Sequence, residues 1–181
     1  MKALFFISLT FLLTVLQTVI LPSFPWFIYC FDLLIIEVLF LSLVSSHPSI
    51  IGAIIIIGCV MDSISGVPFF YHILSYLWIY IIVQIVKQLL FKRSVMFILV
   101  ISIVAVSIQH ILLLLSVFVT HGSHTLLEFN YGIIVRQMFW GFIFIPPGIW
   151  LVNIFWRNWI LAARFLQNRW FKNQEGRIDR I

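Results

Sequence analysis

The stretch GCVMDSISGVP, residues 58–68, places a carboxylate, two serines, two glycines and a proline between two strongly apolar runs. Glycine, proline and serine together are typical of a turn, whereas the residues on either side are mostly Ile, Leu, Val and Phe. A charge inside so apolar a sequence costs free energy unless it has a partner or a function. Asp62, the carboxylate of this stretch, therefore needs one or the other.

The composition of the chain excludes a soluble globular protein. Of its 181 residues, 63% are hydrophobic and only 9% are charged, whereas a soluble domain carries about 25% charged residues. Such a chain cannot cover a water-exposed surface with polar side chains, so it requires lipid as its solvent. Because the bilayer core offers no water to the backbone, each apolar run is expected to be helical.

Six apolar runs are candidates for membrane-spanning helices, each of which needs about 20 residues. They cover residues 4–21, 27–44, 50–64, 69–90, 95–119 and 133–155. The first run lacks a small-residue cleavage site, so it is interpreted as a retained helix rather than a signal peptide. The sequence predicts an all-α, polytopic membrane protein of about six transmembrane helices, with its transmembrane domain at residues 1–156.

Two further features concern the last part of the chain. Pro146-Pro147-Gly148 interrupts the sixth run and predicts a kink or an unwound turn there. Residues 157–181 begin with a mixture of basic, aromatic and aliphatic side chains, which is typical of an amphipathic helix on an anionic membrane surface. We therefore expect a basic amphipathic cytoplasmic tail at residues 157–181.

The distribution of basic residues predicts the orientation of the chain. Six helices place both termini on one side, and if that side is the cytoplasm, ten of the 11 Lys and Arg residues lie inside. This agrees with the positive-inside rule, with Arg136 at the outer end of the sixth helix as the exception. The net charge of +5 thus indicates membrane topology and contact with lipid, not a nucleic-acid partner.

The same orientation places Asp32, Asp62 and Arg136 in the outer halves of their helices. Asp32 lies near the end of the second run, where water is expected to reach it. A carboxylate in lipid usually has a cationic or hydrogen-bonding partner, so we expect Arg136 to pair with Asp62 or Asp32. For Asp62 two interpretations stay open: the cap of a turn completed by Ser63, Ser65 and Gly66, or a contact site for a partner protein.

Glu37 lies closer to the middle of the second run and is expected to face protein rather than lipid. One interpretation is a hydrogen bond to a neighbouring helix, through Gln84 or Gln109. The other is a polar group in a pocket inherited from a ligand-binding fold.

No catalytic arrangement is found in the sequence, which contains no phosphate-binding glycine loop, no nucleophile elbow and no zinc-binding helix motif. His121, His124 and Glu128 fall in the longest predicted loop and are interpreted as solvated side chains rather than a metal site. Cys30 and Cys59 lie inside apolar runs and are interpreted as small packing side chains. We expect no enzymatic activity and no cofactor.

Residues 31–93 resemble the MreD family, the rod shape-determining membrane proteins of bacteria. Phe31-Asp32-Leu33-Leu34 is similar to the family's Pro-Asp-Leu-Leu at the start of an apolar helix. The next helix contains Gly58 and ends in an aspartate followed by serine and glycine. The segment GVPFFYHILSY, residues 66–76, resembles the family's Gly-x-Pro-Leu-Gly-x-x-x-Leu-x-Tyr. Phe31 replaces the usual proline, and Phe69-Phe70 stand where Leu-Gly is common.

The resemblance implies a fold similar to the substrate-binding subunits of energy-coupling-factor transporters, which are six-helix proteins that bind vitamins. It also implies a non-enzymatic scaffold of the cell-elongation machinery, or elongasome, in the bacterial inner membrane. Such a scaffold maintains cell shape by linking MreC and the MreB cytoskeleton to peptidoglycan-synthesis enzymes, namely RodA and its penicillin-binding transpeptidase partner. The candidate motif and interaction residues are Asp32, Glu37, Gly58, Asp62, Ser65, Gly66, Pro68, Tyr76 and Arg136.

A second function stays open, that of a vitamin-binding membrane subunit of an energy-coupling-factor type transporter. It would require a polar outward-facing pocket and a cytoplasmic coupling surface of small residues, for which Ser45-Ser46 and Ala162-Ala163 are the best candidates. A transporter is also expected to have discontinuous helices around a site near the membrane midplane. In this chain only the Pro146-Pro147-Gly148 interruption suggests one.

Overall fold

The chain is almost entirely helical in its computed structural model, which describes residues 2–24, 31–44, 49–66, 70–89, 95–121 and 131–178. These residues form six α-helices and no β-strand, which confirms the predicted all-α class. The helices are α1 (Lys2–Val15), α2 (Leu34–Val44), α3 (Ser49–Ser65), α4 (Tyr71–Leu89), α5 (Val95–His121) and α6 (Tyr131–Ile178). After α1 the chain continues as a π-helical turn at Leu16–Ile20 and a 3₁₀ turn at Leu21–Ser23.

Three helical segments are long and apolar enough to cross a membrane, namely Ala3–Ser23, Met96–Val119 and Gly132–Ala162. Their outward faces carry large apolar side chains: Phe11, Val119 and Trp150 are 72%, 75% and 63% exposed. Contiguous apolar surface of this kind would drive association in water. A lipid environment is therefore the one that this surface requires.

Helix α2 lies at the centre of the bundle and packs against α1, α3, α4 and α6. All nine residues from Leu34 to Ser42 are buried, including Glu37. Its 11 residues correspond to a length of about 16 Å, roughly half of a bilayer core of about 30 Å. The start of α2, at Leu34, is completely buried, whereas its last residue, Val44, is 51% exposed. The free backbone groups at the buried start need partners within the protein.

The start of α2 differs from the predicted run at residues 27–44. Phe31 to Leu33 are not helical, and the helix begins at Leu34, while residues 25–30 lie outside the described part of the chain. The Asp32 carbonyl accepts the Ile35 amide at 3.2 Å, and the Leu33 carbonyl accepts the Ile36 amide at 3.0 Å. Hydropathy alone could not find this boundary, because Phe31 and Leu33 are as apolar as the helix that follows them.

Glycines allow two helix pairs to approach closely. A Cβ atom added to Gly58 of α3 would lie 2.7 Å from the Ile73 Cα of α4, so any larger side chain would collide with backbone. A Cβ added to Gly148 of α6 would lie 2.6 Å from the Ile36 Cδ1 of α2. Small residues are favoured at such contacts between membrane helices.

Helix α6 runs without interruption through Pro146 and Pro147 to Ile178. The unwound turn predicted at these prolines does not occur. Of the two predicted forms, only the kink remains open. Close packing of Gly148 on Ile36 holds the helix against α2 at this point. The predicted boundary between residues 156 and 157 falls within the same continuous helix, whose 48 residues extend about 72 Å.

Replacing Gly58 with Ala should destabilise the protein by about 1–3 kcal/mol, because the new methyl group forces α3 away from the α4 backbone. Gly52→Ala on the same helix is the matched control, since a Cβ there meets nothing within 4 Å. This control should be neutral or stabilising by up to about 1 kcal/mol. Denaturant unfolding of both variants in the same detergent checks the prediction, and an equal effect of the two would contradict it.

Candidate functional site

Asp32 joins three helices at one end of the bundle. Its Oδ1 accepts the Leu34 amide at 3.0 Å, at the start of α2. Its Oδ2 accepts hydrogen bonds from the Tyr76 hydroxyl of α4 and from the Gln109 Nε2 of α5, the latter at 2.9 Å. These partners are 44 and 77 residues away in sequence, so one carboxylate holds together distant parts of the chain.

Gln17, in the π-helical turn after α1, completes the start of α2. Its Oε1 accepts the Leu33 amide at 2.9 Å. Together with the Asp32 side chain, it satisfies two of the amides that have no partner within the helix itself. A carboxylate at this position is also favoured by the partial positive charge of a helix N-terminus.

Asp62 lies in the last turn of α3 and is bonded to the first turn of α4. Its Oδ1 accepts the backbone amide of His72 at 2.8 Å and the His72 Nδ1 at 2.9 Å. Its Oδ2 is buried and has no hydrogen-bond partner among the described residues. Asp62 thus caps the following helix. It also lies next to a turn in which Gly66 has the left-handed φ of 66°. Ser65 Oγ lies 3.5 Å from the same ring nitrogen.

The expected pairing of Arg136 with Asp62 or Asp32 is wrong for the part of the chain that the structure describes. The partners of Asp62 are the two nitrogen atoms of His72, and those of Asp32 are Leu34, Tyr76 and Gln109. Arg136 is exposed near the start of α6. The close contact of α3 with α4 places His72 beside Asp62. The distribution of Lys and Arg residues along the sequence could not predict this neighbour.

Glu37 faces protein as predicted and is completely buried. Its Oε1 accepts a hydrogen bond from the Thr10 hydroxyl of α1 at 2.9 Å, whereas Oε2 has no partner among the described residues. The proposed partners Gln84 and Gln109 bind elsewhere, to the Ser42 carbonyl and to Asp32. The sequence could not show that α1, rather than α4 or α5, lies against this face of α2.

The other end of α2 is closed by basic and amide groups from α4. The Ser42 carbonyl accepts hydrogen bonds from Lys87 Nζ at 2.7 Å and from Gln84 Nε2 at 3.1 Å. A cation at a helix C-terminus is electrostatically favourable, which explains how Lys87 can be buried. Lys92 and Arg93, which follow Lys87 in the sequence, lie outside the described residues.

A cavity of about 240 Å³ lies beside the Asp32 cluster. The turn after α1, the segment before α2 and helices α3 to α6 all contribute to its wall. The lining residues are Gln17, Phe31, Asp32, Met61, Ser65, Tyr71, His72, Gln109, His110, Leu113 and Gln137. This arrangement can bind a small polar molecule or water, and the described residues contain no group of three or more potential metal ligands.

The structure brings together some of the predicted site residues and separates others. Asp32 and Tyr76 are bonded to each other, and Ser65 reaches the cavity beside them. The remaining candidates do not line this cavity: Glu37 faces α1, Gly58 packs on α4, Asp62 lies behind His72 and Arg136 is exposed. Pro68 lies outside the described residues.

Sequence reasoning did not assign His72, Gln17 or Gln109 to the site. Their only signal was polarity within apolar runs, and that signal cannot identify partners on other helices.

Phe70, directly before α4, has a backbone φ of 74°. This left-handed conformation costs most residues about 1–2 kcal/mol, whereas glycine adopts it freely. The Phe70 side chain is 63% exposed, so packing offsets little of this cost.

Tyr76→Phe should destabilise the protein by about 1.5–3 kcal/mol, because it removes a hydrogen bond to a charged group. The matched control is Tyr80→Phe one turn later, since the Tyr80 hydroxyl has no hydrogen bond in the described chain. The control should change the free energy of unfolding by less than about 0.5 kcal/mol. Equal losses in the two variants, measured by denaturant unfolding, would contradict the role given to Tyr76.

At position 70, glycine should be more stabilising than alanine by about 1 kcal/mol, because only glycine tolerates a positive φ without strain. The unfolding free energies of Phe70→Gly and Phe70→Ala test this directly. The same pair at position 52, where the residue is helical, should show the opposite order. An alanine preference at both positions would refute the strained conformation of Phe70.

Comparison of the chain with protein-family models, with curated proteins and with solved structures finds no match. The site itself therefore carries the functional argument. It consists of two carboxylates bonded to helix N-termini, a hydrogen-bonded tyrosine and a polar cavity at one end of an apolar helical bundle. Such an arrangement positions helices and can bind a small molecule.

Proposed function

We propose that the protein is a non-enzymatic membrane scaffold of the bacterial cell-elongation machinery, of the MreD type. The observation that carries this proposal is the convergence of the motif residues Asp32, Asp62 and Tyr76 at one end of the bundle. Asp32 and Tyr76 are directly bonded across 44 residues, and Asp62 is bonded to His72, one turn before Tyr76 in α4. The motif residues therefore hold helices of the bundle together.

The backbone at Phe70 gives independent support. In the MreD-like segment, position 70 is the place where the family commonly has glycine, and this chain adopts there the left-handed φ of 74° that favours glycine. A backbone shape that favours glycine, combined with a different side chain, accounts for both facts. The mismatch at this position therefore agrees with an MreD-like turn before α4.

The bonds made by the motif residues favour a scaffold over an enzyme. Asp32, Asp62 and Tyr76 are all engaged in bonds between helices, and these bonds fix α2, α3, α4 and α5 relative to one another. A fixed helical surface can hold partner proteins in place. No activated nucleophile or paired catalytic carboxylates accompany them in the described residues.

In this proposal the bundle crosses the bacterial inner membrane about six times, with both termini in the cytoplasm. The three long apolar helices support a membrane location, and the basic residues support the orientation. α6 continues beyond its apolar span, from Ala162 to Ile178, and this extension would lie on the cytoplasmic side. MreC, the MreB cytoskeleton, RodA and its transpeptidase partner are the proposed partners.

The alternative function is the vitamin-binding membrane subunit of an energy-coupling-factor type transporter. The cavity at the Asp32 cluster is the observation that favours it. Its volume of about 240 Å³ is smaller than the about 300–1,000 Å³ of typical small-molecule sites, which weakens the fit of a vitamin. Of the small residues considered for a coupling surface, Ala162 is exposed, and Ser45 and Ser46 lie outside the described residues.

Affinity capture of the tagged full-length protein from membranes dissolved in a mild detergent tests the proposal. A scaffold should recover MreC together with the RodA–transpeptidase pair, and its depletion should turn rod-shaped cells into spheres. The control is an unrelated polytopic inner-membrane protein with the same tag and expression level. Recovery of an ATPase pair, with a vitamin bound to the protein, would overturn the scaffold proposal in favour of the transporter.

A further inference from the structure

We propose that the cavity lined by Asp32, Tyr71 and His72 binds a small organic ammonium cation. This inference goes beyond the scaffold function, because it concerns a ligand rather than a partner protein. It also differs from the vitamin-binding alternative in the size and charge of the ligand. Three features point to such a ligand: the space in the cavity, the charge of Asp32 at its wall and the hydrogen-bonding groups that remain unused there.

The cavity has room for a molecule of a few heavy atoms. Its volume of about 240 Å³ equals that of about eight water molecules in the liquid. Phe31, Met61 and Leu113 form apolar parts of the wall. A ligand that carries both a short carbon chain and one polar group matches this mixture better than bulk water does.

The carboxylate of Asp32 lacks a cationic partner in the described chain. Its three hydrogen-bond donors, from Leu34, Tyr76 and Gln109, are all neutral. Asp62 does not line the cavity, and its carboxylate is bonded to the His72 ring. In a low-dielectric surrounding an uncompensated negative charge attracts a cation strongly and repels an anion.

The unused groups at the wall include both hydrogen-bond acceptors and donors. Gln109 donates its amide to Asp32, which leaves its Oε1 as an acceptor. Gln17 offers a donor instead, because its Oε1 already accepts the Leu33 amide and its Nε2 remains. A ligand with an ammonium group and a hydroxyl group can therefore donate to one side of the wall and accept from the other.

The aromatic residues of the wall also favour a cation. The rings of Phe31 and Tyr71 line the cavity, and aromatic faces attract ammonium groups. The ring nitrogens of His110 lie 2.7 Å from the Val106 carbonyl and 2.6 Å from Gln137, so neither nitrogen is directed to Asp32. An ammonium ion thus meets a carboxylate, the Gln109 oxygen and aromatic rings in one cavity.

Thermal unfolding of the full-length protein in detergent, followed by tryptophan fluorescence, tests the inference with ethanolamine at pH 7 as the cationic probe. Ethylene glycol is the neutral counterpart of similar shape, glycolate is the anionic one, and sodium chloride keeps the ionic strength constant. Ethanolamine should raise Tm in a saturable way, because a ligand that binds only the folded state stabilises it. Ethylene glycol and glycolate should not.

Three variants locate the effect. Leu113→Trp should fill the cavity and abolish the Tm shift, whereas Leu115→Trp on the same helix, at a side chain 55% exposed, should retain it. Asp32→Asn keeps an acceptor for the start of α2 but removes the charge, and should weaken ethanolamine binding at least about tenfold. The Asp32→Asn variant still tests the inference if Leu113→Trp does not fold.

Several outcomes would overturn the inference: no saturable shift with ethanolamine, an equal shift with ethylene glycol, or a shift that survives in Asp32→Asn. Each would indicate a cavity that holds only water or neutral solutes. These results are independent of the affinity capture that tests the scaffold, so failure of one proposal does not carry over to the other.

Discussion

The burial of α2 is the constraint on which the rest of the structure depends. A helix that is buried from Leu34 to Ser42 in an apolar bundle leaves backbone groups at its start and near its end without water. Asp32 and Gln17 satisfy amides at its start, while Gln84 and Lys87 bond to a carbonyl near its end. The polar residues of this apolar chain thus occur where the backbone of α2 requires them.

The same physical need explains Asp62. Its carboxylate accepts the amide of His72 in the first turn of α4, as Asp32 does for α2. Both carboxylates bond to the N-terminus of a helix, Asp32 to that of α2 and Asp62, from the last turn of α3, to that of α4. The helix dipole favours negative charge at both places. Gly58 makes the arrangement possible, because it lets α3 approach the α4 backbone near Ile73. Helix contact and helix capping at this end of the bundle therefore depend on each other.

These bonds also shape the proposed functions. Because the motif residues hold helices to helices, they define a fixed surface suited to partner proteins, and their convergence is the ground for a scaffold. Because each bond uses only part of a side chain, the cavity beside them retains an acceptor from Gln109 and the charge of Asp32. A scaffold that also responds to a small cation would combine the two.

The sequence by itself determined the class of the protein, the location of most helices and the interior position of Glu37, because hydropathy and the cost of a charge in lipid are properties of local sequence. It also singled out Asp32, Asp62 and Tyr76. Only the tertiary structure decided their partners. Capping of one helix by a residue of another, as by Asp62 on His72, depends on which helices pack together, and nothing in the spacing of residues along an apolar chain encodes that choice. The same reason explains why Thr10, and not a glutamine, reaches Glu37.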